Sequence, residues 1–151
     1  MKLSKKGEYA VRALMALSLN YDTGMMQIHD IVRQEAIPEK FLEQILLLLK
    51  NAGFLQSKRG VGGGYFLNRP PHEITLGQVI RLVDGPLAPI SCVSKTAHVA
   101  CAKESVCGLC RVMLDVRNAT AEILDHITFA DVCNRIRGIA GDKGGAFMYC
   151  I

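Results

Sequence analysis

Four of the six cysteines lie in one stretch, spaced Cys-x8-Cys-x5-Cys-x2-Cys through Cys92, Cys101, Cys107 and Cys110. Thiolates gathered this closely can hold a soft metal centre, the usual role of clustered cysteine in a reducing compartment. The plainer readings are small buried hydrophobes or disulfide partners. Little in the neighbouring sequence would bury four thiols, so a metal or cluster is the favoured reading. Residue types do not separate iron from zinc. An all-thiolate site suits an iron–sulphur centre and a tetrahedral zinc ion alike. His72, His98 and His126 are further ligand candidates, although isolated histidines are commonly surface or packing residues; His29 is expected to be structural or close to nucleic acid.

The thiols need a loop that closes onto a helix. Asp84-Gly85-Pro86 ends the element before them, no strand pattern runs through them, and an apolar-striped segment starts at Arg111. Upstream, Ala10, Ala13, Leu14 and Leu17 fall at i, i+3, i+4, i+7 and predict an amphipathic helix over 4–19. Residues 20–24 read as a turn and 27–35 as a short helix with Ile28, Ile31 and Val32 on its apolar side. Ala36-Ile37-Pro38 interrupts, and Pro38 suits the first turn of a further helix. That helix is expected to carry Phe41, Leu42, Ile45, Leu48 and Leu49 inward and Lys40, Glu43, Gln44 and Lys50 outward, ending at Asn51-Ala52-Gly53. Two strand-like runs, 54–58 and 64–68, flank Arg59-Gly60-Val61-Gly62-Gly63-Gly64, a composition suited to a tight hairpin tip. A phosphate-cradling loop would need Lys-Ser/Thr and a helix after the glycines, and Tyr65-Phe66-Leu67 follows as a strand instead. Helix, helix, turn, helix, hairpin is the order of a winged helix–turn–helix, with the helix from Pro38 placed for a DNA major groove and Lys58 and Arg59 placed for backbone or minor groove.

Thr75-Leu76-Gly77-Gln78 has a capping-box pattern that opens a helix to Asp84. Beyond the cysteines, Val112, Val116, Ala119 and Ile123 recur at spacings of 4, 3 and 4, a heptad-like seam that wants a partner helix and favours a homodimer. Thr128-Phe129-Ala130-Asp131 predicts a short helix to about Arg137. Cys133 is expected in the core, and Cys150 is unassigned.

At 151 residues, half of them hydrophobic, the chain is long enough for a real core. Residues 1–70 carry ten Lys/Arg against six Asp/Glu, while residues 71–151 carry eight of each, so the whole +4 excess sits with the winged segment. That coincidence supports double-stranded DNA as partner over a winged fold used for protein contacts. The basic start, Met1-Lys2-Leu3-Ser4-Lys5-Lys6, is followed by no apolar export segment, and no run is long enough to span a bilayer. A cytoplasmic protein with no membrane partner is the expectation, and that compartment disfavours structural disulfides.

The opening from Met1 to Ala13, together with Phe41-Leu42-Glu43-Gln44 and Arg59-Gly60-Val61-Gly62-Gly63-Gly64-Tyr65, resembles the Rrf-type transcription regulators over residues 1 to about 137. The resemblance implies a mainly α fold with a small β-hairpin, a winged helix–turn–helix plus a long dimerisation helix, assembled as a cytosolic homodimer. It implies DNA contacts from Lys40, Glu43, Gln44, Lys58, Arg59, Gly60, Gly62, Gly63 and Tyr65. Iron–sulphur members carry three cysteines before the dimerisation helix, matched by Cys92, Cys101 and Cys107. Some add a histidine three residues after the third, where this chain has Cys110; others take an acidic fourth ligand from the partner's first helix, where this chain has Glu8.

The domains expected are a winged helix–turn–helix over 1–84, a cysteine-rich loop over 85–110, a dimerisation helix and C-terminal helix over 111–137, and a flexible tail over 138–151. The function expected is a DNA-binding regulator, in the repressor sense, that senses redox, nitric oxide or iron–sulphur status through a 2Fe–2S or 4Fe–4S cluster. The alternatives are a zinc-bound or metal-free regulator controlled by a protein partner, and a small redox or electron-transfer protein. No nucleophile–base pair or dinucleotide fingerprint supports an enzyme.

Overall fold

The computed structural model describes residues 2–141, with side chains described to Ile139. Six helices and one hairpin follow in chain order: α1 (Lys5–Leu19), α2 (Ile28–Glu35), α3 (Glu39–Asn51), β1 (Leu55–Lys58), β2 (Gly64–Leu67), α4 (Leu76–Asp84), α5 (Gly108–His126) and α6 (Phe129–Gly141). Single 3-10 turns lie at Tyr21–Thr23, Pro71–Glu73, Ser91–Val93 and Glu104–Val106. No helix among the described residues is long and apolar enough to cross a membrane.

α1 is the hub. Ser4 caps it, its hydroxyl accepting from the Gly7 N–H at 2.9 Å. Ala10, Ala13, Leu14 and Leu17 are all at most 2 % exposed, and α2, α3, α4, α6 and β2 pack around them. The two alanines keep the helix slim enough for that many neighbours to approach. Ser18 is buried but satisfied, its hydroxyl donating to the Leu14 carbonyl at 2.6 Å.

α2 ends at Ala36, which takes a left-handed conformation (φ 51°) and turns the chain sharply into α3. Ile37, buried, anchors that turn, and Pro38 stands just before the first helical residue. α3 buries Leu42, Ile45, Leu46 and Leu49, a stripe at i, i+3, i+4, i+7. This corrects the sequence reading in two places. Leu46 belongs to the buried stripe, and Phe41, 55 % exposed, stands on its flank with its ring edge-on to Tyr9. One residue of offset turns a side chain by about 100° around the helix, enough to take Phe41 out of the core.

The hairpin pairs Leu55↔Leu67, Gln56↔Phe66, Ser57↔Tyr65 and Lys58↔Gly64, and a bridge from Met26 to Tyr65 ties β2 to the segment before α2. At its tip, a Cβ on Gly63 would strike the carbonyls of Lys58 and Gly60, so backbone fills the place of a side chain there.

The capping box expected at Thr75 is present, with Gln78 N–H on the Thr75 hydroxyl and Thr75 N–H on the Gln78 side chain, each at 3.3 Å. α5 buries none of its 19 residues against its own chain. α6 opens on a reciprocal cap between Thr128 and Asp131 (2.7–3.2 Å) and returns to α1, with Phe129 fully buried and Cys133 at 3 %. The Phe129 N–H donates to the Ile74 carbonyl at 2.9 Å and the Leu76 N–H to the Ile127 carbonyl at 3.0 Å, so the α5–α6 corner is stitched to the start of α4. α6 continues to Gly141, beyond the Arg137 end expected; Gly138 meets nothing nearby and is carried as a helical residue. The remainder of the expected tail, with Cys150, lies outside the described residues.

Phe129 is the largest fully buried side chain, and it comes from the far end of the chain. Phe129→Ala should cost about 3–5 kcal/mol of stability, read by urea unfolding, with the loss felt across the winged part and not confined to α6.

Candidate metal centre and nucleic-acid interface

The cysteine loop runs from Gly85 to the start of α5. Cys92 sits half-buried on the Ser91–Val93 turn, Cys107 is the N-cap of α5 and Cys110 lies on its first turn. The fold brings Cys92 and Cys110 together, Sγ to Sγ at 4.0 Å. Cys101 is exposed further along the loop. Within the single chain, no three His, Cys, Asp or Glu side chains among the described residues gather closely enough to hold a metal ion. Glu8 stands on α1, its carboxylate held by Lys5 at 2.8 Å and Arg12 at 3.7 Å. The Lys5 hydrogen bond, chiefly, pulls its carboxyl below the usual range. Burial, then the hydrogen bond with Cys92, pushes the Cys110 thiol up.

Three joints that the sequence pattern did not reveal hold the loop. Arg117, midway along α5, donates to the Val93 carbonyl at 2.7 Å and pins the loop onto the helix. Glu104 accepts from the Cys101 N–H at 3.3 Å and meets His98 Nε2 at 3.1 Å, which shapes the segment between Cys101 and Cys107. His98 pulls the Glu104 carboxyl down, with the Cys101 N–H assisting. At the upstream end, Asp84 accepts from the Ser4 N–H at 2.9 Å and from the Ser4 hydroxyl. Its carboxylate rests against Gly7, where a Cβ would strike it. A carboxylate at a helix N-terminus is stabilising, and here it binds the foot of the loop to the turn of α1 that bears Glu8.

A comparable joint links α4 to α5. Arg81 grips Asp125 with both terminal guanidinium nitrogens, and Gly77 leaves room for that carboxylate. The seam residues Val112, Val116, Ala119 and Ile123 are all exposed on α5.

On the winged part, Lys40, Glu43 and Gln44 are exposed along the outer face of α3, joined by Leu47 and Phe41. Lys58, Arg59, Gly60 and Gly62 are exposed at the hairpin end, and Val61 stands fully out at its tip. Gly63 is buried within the tip, and Tyr65 packs its ring toward the core while its backbone exchanges hydrogen bonds with Met26 at 2.8 and 3.0 Å. Both shape the wing, with Gly63 buried in the tip and Tyr65 half-buried.

A three-helix core with a two-stranded wing, followed by a long unburied helix, defines the class: a winged helix–turn–helix regulator with an appended helical segment. A family profile described as "Iron-dependent Transcriptional regulator", Rrf2, matches residues 3–135. The HTH-type transcriptional regulator CymR of Bacillus subtilis (strain 168) is 31 % identical over 151 residues, all of both chains. An HTH-type transcriptional regulator IscR of Enterobacter sp. (strain 638) is 32 % identical over 134 residues, 89 % of this chain and 80 % of that one. Among solved structures, that of B. subtilis CymR, the global cysteine regulator, superposes with a TM-score of 0.78 at 30 % identity, covering 89 % of this chain and 98 % of the other. The structure of T. potens IscR gives a TM-score of 0.70 at 30 % identity, covering 99 % and 95 %. The chain belongs to the Rrf2 family of transcriptional regulators.

The Arg81–Asp125 joint gives a pH prediction. The hydrogen bond from Arg81, chiefly, holds the Asp125 carboxyl below its usual range. A depressed carboxyl contributes stability above its unfolded pKa and loses it as the pH falls through the folded one. The pair is partly exposed, so the effect should stay within about 1 kcal/mol. Asp125→Asn should therefore lower the melting temperature at neutral pH, and the gap to the parent should close on acidification into the carboxylate range.

Proposed function

We propose that this regulator acts as a homodimer on a double-stranded DNA operator, and that its cysteine loop holds an iron–sulphur cluster whose state alters DNA affinity. The 4.0 Å approach of Cys92 to Cys110 at the start of α5 carries the metal part of this reading. Two thiols at that distance suit one soft metal centre, and Cys101 and Cys107 supply further thiolates on the same loop. The donor set thus fits a cluster of the kind that the family description and the similarity to IscR suggest. Cys92, Cys101 and Cys107 would hold it, with Cys110 or the Glu8 of a second copy as fourth ligand. When bound, such a group supplies a centre sensitive to oxidants, nitric oxide and iron supply. The chain's own residues supply the transmission. Arg117 couples loop order to α5, and Asp84 couples the loop's foot to Ser4 and Gly7 on the hub helix against which α3 packs.

Dimerisation is supported by the exposed stripe of Val112, Val116 and Ile123 on a helix that buries nothing of its own. The DNA reading is supported by an exposed polar face on α3 and a cationic hairpin end. Zinc is the second reading, since the same two sulphurs would suit a tetrahedral site.

Protein isolated without oxygen should carry iron and acid-labile sulphide, and Cys92→Ala, Cys101→Ala and Cys107→Ala should each strip them. Stoichiometric zinc with no sulphide would replace the cluster by the second reading. If Cys110 is the fourth ligand, Cys110→Ser should shift the visible spectrum while Glu8→Ala leaves it unchanged; the reverse pattern would assign Glu8.

On DNA, Glu43 gains nothing from phosphates; from the exposed face of α3 it would accept from a cytosine amine, and Gln44 would pair with adenine. Glu43→Ala should relax base preference with a modest loss of affinity. Arg59→Ala should weaken specific binding by about 1–3 kcal/mol. Titrations over single-base operator variants check both: an unchanged preference profile would remove Glu43 from readout, and unchanged affinity would remove Arg59 from the interface.

A further inference from the structure

Beneath the wing lies an open space of about 470 Å³ that neither the cysteine loop nor the exposed face of α3 uses. Its back wall is Leu17 near the end of α1, only 2 % exposed. Tyr21 and Met25, on the turn that follows, form one lip. Gln56, Lys58 and Phe66, which share one strand face, form the other, and Ser57 and Leu67 from the same two strands complete it.

The lips are held apart by fixed structure. The Met26–Tyr65 bridge, with bonds of 3.0 and 2.8 Å, sets the lower lip against β2. The Tyr21–Thr23 turn closes through the Thr23 N–H to the Asn20 carbonyl at 3.0 Å, and the Asn20 side chain holds the Gly24 carbonyl at 3.1 Å. Its volume falls in the range of about 300–1,000 Å³ typical of small-molecule sites, mostly apolar with a few polar groups at one side. The lining carries one cation, Lys58, which makes no ion pair among the described residues; a second ammonium, Lys50, stands behind the lining Ser57 and is occupied by its hydroxyl at 2.7 Å, and Asp22, on the same turn as Tyr21, does not line the space. An apolar hollow with a single free ammonium at its edge selects a small amphipathic anion.

We propose that this space is an effector site for a small monocarboxylate with an apolar body, the body lying among Leu17, Tyr21, Met25 and Phe66 and the carboxylate on Lys58. Because Lys58 is also the last residue of β1 before the wing tip, occupancy withdraws its charge from DNA and weakens operator binding. The second clause rests on the DNA reading; the first does not.

The probe is 3-phenylpropionate, titrated into the full chain carrying isotope-labelled methionine methyls, with its neutral alcohol 3-phenylpropanol as control. Met25 should shift saturably while Met113 on α5 does not. The carboxylate should bind about tenfold more tightly than the alcohol, the scale of one charge-assisted hydrogen bond. Lys58→Gln should erase that preference. Tyr21→Glu, at an exposed position that should tolerate the change, should repel the carboxylate with the melting temperature unchanged. Saturating probe should weaken binding to DNA selected by the protein from a random library, and Tyr21→Glu should remove the effect. A shift at Met113 without one at Met25, or a carboxylate preference that survives Lys58→Gln, would overturn the site. Binding at Met25 with unchanged DNA affinity would overturn the effector role alone. Failure of the parent to bind any DNA without probe would sink the DNA reading and the effector role with it, leaving Met25 to decide the site.

Discussion

Everything in this fold depends on the enclosure of α1. Ala10, Ala13, Leu14 and Leu17 are shut away from water by four other helices and a strand, and the last piece of the enclosure, Phe129, arrives from α6 after the whole cysteine loop and α5 have been traversed. Apolar burial of this kind dominates folding free energy. The helix–turn–helix therefore does not close its core alone. Its stability is tied to the segment that carries the candidate sensing residues, so the two parts respond to each other through shared packing.

The connections between those parts are few and polar. Asp84 fixes the start of the loop to the first turn of α1, Arg117 fixes Val93 to α5, and Arg81 with Asp125 fixes α4 to α5. Each is a charged side chain reaching across a large sequence separation; two of the three depend on a glycine leaving room for the carboxylate, and the third on a backbone carbonyl being free to meet the guanidinium. Polar joints have defined geometry where apolar contacts slide, so these few bonds set how the loop and α5 stand on the rest of the chain.

α5 presents the opposite situation: nineteen residues, none of them fully buried, with an apolar stripe left exposed. The second copy proposed above would meet it along that stripe. Glu8 in the single chain is held by Lys5 and Arg12, and does not reach its own cysteine loop.

Much of this was legible in the residues alone. The helix spacing of α1, the Ala36-Ile37-Pro38 break, the capping box at Thr75 and the glycine-rich tip each express local chemistry, and local chemistry is what sequence records. The sequence also singled out the four cysteines as a group. Where local pattern was ambiguous, only packing decided: Phe41 and Leu46 are both apolar on one helix, and the direction of the neighbouring core exposes the first and buries the second. The pairing of Cys92 with Cys110, the grip of Asp84 on Ser4 and the return of Phe129 to α1 join residues 18 to more than 100 positions apart. No periodicity encodes such contacts; they exist because the chain's elements can bury their apolar faces in only one mutual arrangement, and that arrangement belongs to the tertiary structure.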